Sequence, residues 1–133
     1  MAGLKAAITA PTWPDINGYM YPKGMFINES FIQDIANNPI TIHFIHRGIA
    51  YTLAVLIAIW WWRSRKHNEH PLFNIFRNIS LSLVMLQVLL GILTVLNATY
   101  ANRLVWLGVS HQFVAMLLLI DIVCLFFLLS RKK

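Results

Sequence analysis

Five ionisable side chains lie inside or at the edge of long apolar stretches of the sequence: His43, His46, Arg47, His111 and Asp121. An ionisable group within a membrane-spanning segment costs free energy, so each of them marks a candidate functional site. The sequence has no phosphate-binding glycine loop, and no serine, histidine and aspartate can be placed together as a catalytic set. We therefore assign no catalytic residue, and the first chemistry to consider is metal binding.

His46 and His111 are predicted to lie at the same depth in a membrane. His46 is about six residues into one apolar stretch and His111 about seven into another, so each lies about 10 Å below the outer surface. The two stretches run in the same direction, because one antiparallel stretch separates them. Their ring nitrogens can then approach to on the order of 4 Å, twice a metal–imidazole distance of about 2 Å. This spacing favours an iron porphyrin ligated from both faces, while interhelical hydrogen bonds are the alternative.

The neighbouring polar residues have several possible roles. His43 precedes His46 by three residues, so it is a third ligand, a hydrogen-bond partner of a ligand, or a polar residue at the water boundary. Arg47 is well placed to pair with heme propionates, and a snorkelling interfacial arginine is the alternative.

Asp121 points about 80° away from His111 and lies roughly 15 Å deeper, so it is not a co-ligand. It contacts a second protein segment or a proton path, or it is hydrated near the inner face. His67 and His70 have a metal-like spacing but fall in a polar, cationic stretch, which indicates a solvated loop.

The elements that carry these side chains are predicted from composition and from the apolar runs. Of 133 residues, 58% are hydrophobic and 12% are charged, and the mean hydropathy is +0.61, as is typical of membrane proteins. Three runs, 40–62, 79–100 and 104–130, reach the roughly 20 residues needed to cross a bilayer. The predicted fold class is all-α, an integral membrane helical bundle with three transmembrane helices plus an outer N-terminal loop segment.

The charges predict how the bundle is oriented. A net charge of +6 on a soluble chain would suggest nucleic acid, but here the basic residues collect at the ends of the apolar runs, so the expected partner is the lipid bilayer and no nucleic acid is expected. The positive-inside rule places the first loop and the C-terminal tail in the cytoplasm and the N-terminal loop outside. The cations are Arg63, Arg65, Lys66 and Arg77 in the first loop, Arg131, Lys132 and Lys133 in the tail, and Arg103 alone in the second loop.

Residues 1–39 form an outer segment before the predicted bundle of residues 40–133. The segment is rich in turns and aromatic residues, and Asn28 is predicted to cap a short helix with Phe31, Ile32 and Ile35 on one face. It is either an anchor in the membrane interface or a lid over a ligand pocket. At the other end of the first span, Trp60–Trp62 indicate an aromatic belt at the inner interface. Cys124 is the single cysteine, which excludes an intrachain disulfide.

Several strings, in order and over nearly the whole chain, resemble the C-terminal half of heme A synthase. The His-Arg and His-Gln pairs, with the Trp-Pro and Asn-Gly steps before them, make the resemblance more specific than any single motif. The strings are Ala-Gly-Leu-Lys-Ala-Ala at 2–7, Thr-Trp-Pro-Asp-Ile-Asn-Gly at 12–18, Asn-Pro at 38–39, His-Phe-Ile-His-Arg at 43–47, Gln-Val-Leu-Leu-Gly-Ile-Leu-Thr at 87–94 and Ser-His-Gln at 110–112.

The resemblance implies a part in converting heme o to heme a, a reaction that oxidises a ring methyl group to a formyl group for terminal oxidases. It implies two similar four-helix halves in the whole enzyme, with His46 and His111 as axial ligands of the iron of a heme b in the C-terminal half. The substrate half of the family has a glutamate where this chain has His43, which favours the heme b half. The resemblance also implies a bacterial inner membrane and oxidase assembly machinery as a partner.

The string at 2–7 ends a transmembrane helix in the family but directly follows Met1 here. Residues 1–39 are therefore expected to hold the end of a truncated helix and an outer interfacial loop. The resemblance thus implies a partial chain that needs a missing N-terminal half or a second chain and is not active alone.

Two other functions remain open: a small bis-histidine membrane cytochrome b that carries electrons, and a heme-free structural or assembly subunit of an oxidase complex. Iron held by two histidines has no open position, which suits electron transfer or structural support.

Overall fold

The computed structural model describes residues 6–27, 30–66 and 71–130, and this part of the chain is helical without a β-strand. The predicted all-α fold is confirmed. The predicted cap at Asn28, the histidines at 67 and 70 and the basic residues at 131–133 lie outside the described residues. The helices are α1 (Ala6–Thr9), α2 (Phe31–Asn37), α3 (Pro39–Ser64), α4 (Pro71–Leu96) and α5 (Ala101–Ser130).

Helices α3, α4 and α5 are each long and apolar enough to cross a membrane. They have 26, 26 and 30 residues, more than the roughly 20 that a bilayer core requires. The three predicted spans are therefore confirmed as helices. The start of α4 differs, because this helix begins at Pro71 and not near residue 79. Proline is favoured at a helix start, since the missing N–H has no helical partner there.

Arg77 was predicted to lie in the first loop, and this prediction is wrong. It lies within α4 and is buried, with its Nη1 donating to the carbonyl of Ser64 at 3.2 Å. Ser64 is the last residue of α3, where carbonyls lack helical partners and carry partial negative charge. The guanidinium is stabilised at this helix end, so Arg77 links α4 to α3 instead of lying in a solvated loop.

Asn38 fixes the start of α3 and thereby the positions of the residues that follow. Its side-chain oxygen accepts from the N–H groups of Ile40 and Thr41, at 3.0 and 3.4 Å, and Pro39 occupies the first helical position. This is the N-cap arrangement that satisfies free N–H groups at a helix start. The Asn38 amide also donates to the buried carboxylate of Asp34, which joins α2 to α3.

The three long helices form an asymmetric bundle in which α4 is central. Helix α4 packs along α5 and more briefly against α3, around a core of Ile57, Val84 and Leu118. No α-carbon of α3 lies within 8 Å of one in α5, so these two helices are farther apart than a directly packed pair. A cleft therefore separates α3 from α5. Its inner part is a cavity of about 200 Å³ lined by Ile57, Trp60, Ser80, Ile122, Leu125, Phe126 and Leu129.

The outer segment folds against the start of α3. Helix α1 packs on α3 and α4, with Ala6 fully buried. A tight turn follows, in which Asn17 and Gly18 have positive φ angles of 53° and 85°. Glycine adopts such angles without strain and asparagine tolerates them better than most residues, which explains the Asn-Gly step. Two backbone hydrogen bonds between Ile16 and Tyr19 close this turn.

Candidate metal centre

His46 and His111 come together across the cleft between α3 and α5. The centres of their rings are 6.4 Å apart, and the ring planes are inclined at 65°. His46 is exposed on the surface of this chain and His111 is partly buried. The two histidines that the sequence places at equal depth are therefore direct neighbours.

The separation of the two rings suits a metal between them. Two metal–nitrogen bonds of about 2 Å, with roughly 1 Å from each nitrogen to its ring centre, give a centre-to-centre distance of about 6 Å. Among the described residues no three histidine, cysteine, aspartate or glutamate side chains are placed to share a metal ion. A zinc site with three or four protein ligands is therefore not supported, whereas the separation of the rings matches that of a group held by two axial histidines.

Helix α4 forms the surface on which the His111 ring rests. A Cβ atom at Gly91 would lie only 3.2 Å from Cε1 of His111, so the ring occupies space that a side chain would fill. One turn earlier on α4, the amide nitrogen of Gln87 lies 3.1 Å from Nε2 of His111. An amide nitrogen only donates, so Nε2 of His111 accepts in this contact. No partner for Nδ1 lies within the described residues.

His43 bonds to Arg47 and belongs to no group of three potential metal ligands among the described residues. It is only 1% exposed, and its Nε2 accepts a hydrogen bond from Nε of Arg47 at 3.1 Å. The hypotheses of a third ligand and of a residue at the water boundary are therefore wrong. His43 instead fixes the side chain of the residue that follows His46, as a hydrogen-bond partner behind the site.

Arg47 binds the outer segment. Its two terminal nitrogens donate to three backbone carbonyls, those of Thr12 at 2.6 Å, Asp15 at 2.8 Å and Pro14 at 3.3 Å. With the bond to His43, these contacts occupy most of the five N–H donors of a guanidinium. Arg47 is buried, so it does not snorkel to water. It fastens the segment around residues 12–15 to α3 beside His46.

Further hydrogen bonds stabilise this part of the segment. The indole N–H of Trp13 donates to the hydroxyl of Tyr51 on α3, at 2.9 Å. The backbone N–H of Gly18 donates to Oδ1 of Asp15 at 2.9 Å, and this bond holds the pKa of Asp15 below its usual value. The segment is thus bound to the same helix that carries His46.

Asp121 lies apart from the histidines and joins α5 to α4. The Ser80 hydroxyl and Oδ2 of Asp121 form a hydrogen bond, and both side chains are buried. Ser80 is also 3.2 Å from the carbonyl of Phe76, whereas Oδ1 of Asp121 has no partner among the described residues. Asp121 is therefore buried within the bundle, and its contact is a second helix of this chain.

The sequence did not single out Gln87 or Ser80 as partners of ionisable groups. Both lie on α4, and both are ordinary polar residues of an apolar helix. One signal could have identified them, because a polar side chain within a membrane span usually faces another helix.

Comparisons with known proteins match most of this chain. The profile of the family described as COX15-CtaA, cytochrome oxidase assembly protein, matches residues 1–123. Heme A synthases of Brucella suis, Brucella ovis and Brucella anthropi are each 34% identical over 122 residues, which is 90% of this chain and 32% of theirs. The chain thus spans about a third of the length of these relatives. No solved structure matches the chain.

Proposed function

Because the chain belongs to the COX15-CtaA family of cytochrome oxidase assembly proteins, we propose that it is the part of a heme A synthase that binds heme b between His46 and His111. The observation that carries this proposal is the 6.4 Å separation of the two ring centres across the cleft between α3 and α5. Iron held by two histidines has no free coordination position, so the group supplies electron transfer or structural support.

The residues of this chain have separate tasks in the proposed site. His46 and His111 provide one nitrogen each, and Gly91 leaves room for the His111 ring against α4. Arg47 holds the outer segment on α3 and leaves at most one N–H for other partners, such as a heme propionate. Because the segment is bound beside His46, it limits the access of water to that side of the site.

The whole reaction of the family, the conversion of heme o to heme a, needs more than this chain. Relatives named heme A synthase are about three times as long. The substrate site with heme o then belongs to an N-terminal half or a second chain, and the described residues alone do not catalyse the conversion. The setting proposed for this assembly is the bacterial inner membrane, together with oxidase assembly machinery.

A second candidate function is supported by the bond between Gln87 and His111. The Nε2 atom of His111 cannot both accept from Gln87 and bind iron through the same lone pair. If this bond persists in the cell, His111 is an interhelical contact, and the chain is a heme-free structural or assembly subunit. Heme content distinguishes the two functions directly.

The test is an optical spectrum of the chain purified in detergent from a heme-replete host. We expect low-spin b-type bands that are lost in His46→Ala and in His111→Ala, because each substitution removes one axial ligand. His67→Ala is the matched control and should keep the parental spectrum. Bands that survive both substitutions would show that the ligands are wrong, and a folded parental chain without heme would favour the structural subunit.

A further inference from the structure

Helix α2 turns its apolar side away from the rest of the protein. Along its seven residues the apolar side chains occupy one continuous arc, and the polar ones occupy the opposite arc. Ile32 is 76% exposed and Phe31 62% exposed, whereas Asp34 is only 1% exposed and bonds to Asn38. A helix on a water-facing surface would have the reverse arrangement.

The apolar side of α2 continues into the segment that precedes it. The rings of Phe26 and Phe31 stack with centres 5.6 Å apart, so the two side chains form one surface. Tyr21 packs edge-on against Phe44 of α3 at 5.8 Å, and Tyr21 is nevertheless 68% exposed. We call this surface, made of Tyr21, Phe26, Phe31, Ile32 and Ile35, the outer apolar face.

The position of α3 places this face at the membrane boundary. The helix is about 39 Å long at 1.5 Å per residue, about 9 Å more than a typical hydrocarbon core. Its other end carries Trp60–Trp62 and Arg63, residues that mark an interface. Counting about 20 residues back from Trp61 reaches the region of Thr41. Asn38, where α2 joins α3, then lies among the lipid headgroups, and Phe44 lies just inside the hydrocarbon.

We propose that the outer apolar face is immersed in the lipid interface around the start of α3 and so acts as a membrane anchor. The face is continuous with α3 through the Tyr21–Phe44 contact and through the shared residue Asn38, and α3 itself crosses the bilayer. An amphipathic helix at this depth inserts its apolar side about 5–10 Å into the boundary of headgroups and acyl chains. The anchor fixes the height of the whole outer segment, and it does not depend on heme binding.

The test measures which solvent surrounds α2 in a bilayer. The full chain, with Cys124→Ser, is placed in phosphatidylcholine nanodiscs and spin-labelled at Ile32→Cys or at Gln33→Cys. Collision rates are measured with oxygen, which concentrates in lipid, and with a water-soluble nickel chelate. We expect the oxygen-to-nickel ratio at position 32 to exceed that at position 33 several-fold, because Gln33 lies on the polar arc.

Two results would overturn the proposal. Equally low oxygen-to-nickel ratios at both positions would place α2 in water, and a label at position 32 shielded from both reagents would show that protein covers the face. The pair Ile35→Cys and Asn37→Cys repeats the measurement on the next turn, in case a label at position 32 disturbs folding. Circular dichroism identifies the variants that retain the helical fold.

Discussion

The hydrogen-bond partners of Arg47 differ from those that the sequence suggests. Next to a candidate iron ligand, an arginine suggests pairing with propionates, yet three backbone carbonyls of the outer segment accept its hydrogen bonds. These acceptors are backbone atoms of residues 12–15, so residue types carry no signal for them. The position of Arg47 was predictable from the sequence, but its partners depend on the path of a loop.

Replacing Arg47 with Gln is expected to loosen the outer segment. Gln donates at most two hydrogen bonds, so at least one carbonyl loses its partner at a cost of about 1 kcal/mol. Amide hydrogen exchange at Tyr19, whose N–H bonds to the carbonyl of Ile16, should become faster, while the axial-ligand spectrum stays low-spin. Arg103→Gln, at an exposed arginine beside Tyr100, is the control.

Two outcomes would contradict this role for Arg47. Unchanged exchange in Arg47→Gln would show that the other contacts of the segment suffice. Loss of the low-spin spectrum without faster exchange would mean that Arg47 acts on the heme directly and not through the segment. Arg47→Lys, which keeps the charge but has three donors in a different geometry, should give intermediate exchange.

Asp121 is predicted to be a neutral acid that donates to Ser80. The Ser80 hydroxyl has one proton and two nearby acceptors, the Phe76 carbonyl and Asp121. A protonated Asp121 donates to Ser80, which then donates to Phe76, so every proton is used and no bare charge is buried. Asp121→Asn should therefore leave thermal unfolding in detergent nearly unchanged.

The matched variant Asp121→Ala removes the bond to Ser80 and should lower stability by about 0.6 kcal/mol, the average for hydrogen bonds between membrane helices, and by no more than about 1.7 kcal/mol. Infrared spectra give a second measurement, since the carbonyl band of a protonated carboxylic acid should be present in the parent and absent in Asp121→Asn. If Asp121→Asn destabilises as much as Asp121→Ala, the carboxyl is ionised and the interpretation is wrong.

At the scale of elements, α4 controls the orientation of His111 through Gly91. A methyl group at this position would lie 3.2 Å from Cε1 of His111, closer than most carbon contacts, so the ring must shift by a few tenths of an ångström. Gly91→Ala should therefore change the low-spin electron paramagnetic resonance spectrum of the bound heme, and Gly91→Leu should abolish heme binding. Gly108→Ala is the control, because a Cβ there meets no atom within 4 Å.

Both alanine substitutions improve helix propensity by up to about 1 kcal/mol. A difference between them therefore reports contact with His111 and not helix stability. Identical spectra and heme content in Gly91→Ala, Gly108→Ala and the parent would show that the His111 ring does not rest on α4 when heme is bound.

The elements themselves were largely predictable, because a bilayer requires long apolar helices and the sequence has three such runs. The start of α4 was not predictable, because the apolar run that defines the span is interrupted by Arg77. The structure accommodates this arginine by a hydrogen bond to the end of α3. The proximity of His46 and His111 followed from equal depth on parallel helices. The rotation of each helix about its axis could not be predicted from the sequence. This rotation brings Gln87 and Gly91 to His111 and Ser80 to Asp121.

At the scale of the whole molecule, the cleft between α3 and α5 connects the fold with the proposed function. Helix α4 packs closely on α5, while α3 stays apart and faces α5 only through side chains such as His46. A flat macrocycle needs such a gap, and a bundle stabilised only by interhelical hydrogen bonds does not. The other side of His46 is open in this chain, where the remaining two thirds of a longer relative would have room to pack.

The orientation of the molecule in the membrane gives the last prediction. Arg63, Arg65 and Lys66 lie at the end of α3, whereas Arg103 is the single cation at the start of α5. The positive-inside rule then places Lys66 in the cytoplasm and Tyr100 outside. In a Cys124→Ser background, a membrane-impermeant maleimide should label Tyr100→Cys in intact spheroplasts and Lys66→Cys only after permeabilisation.

The reverse labelling would overturn both the orientation and the place of the metal centre in it. His46 and His111 lie in the half of the bundle that contains the outer segment, since Arg47 joins that segment to α3. With Tyr100 outside, the two histidines are nearer the outer surface. With Tyr100 in the cytoplasm, they are nearer the inner surface, so this labelling experiment decides which side of the membrane the candidate metal centre faces.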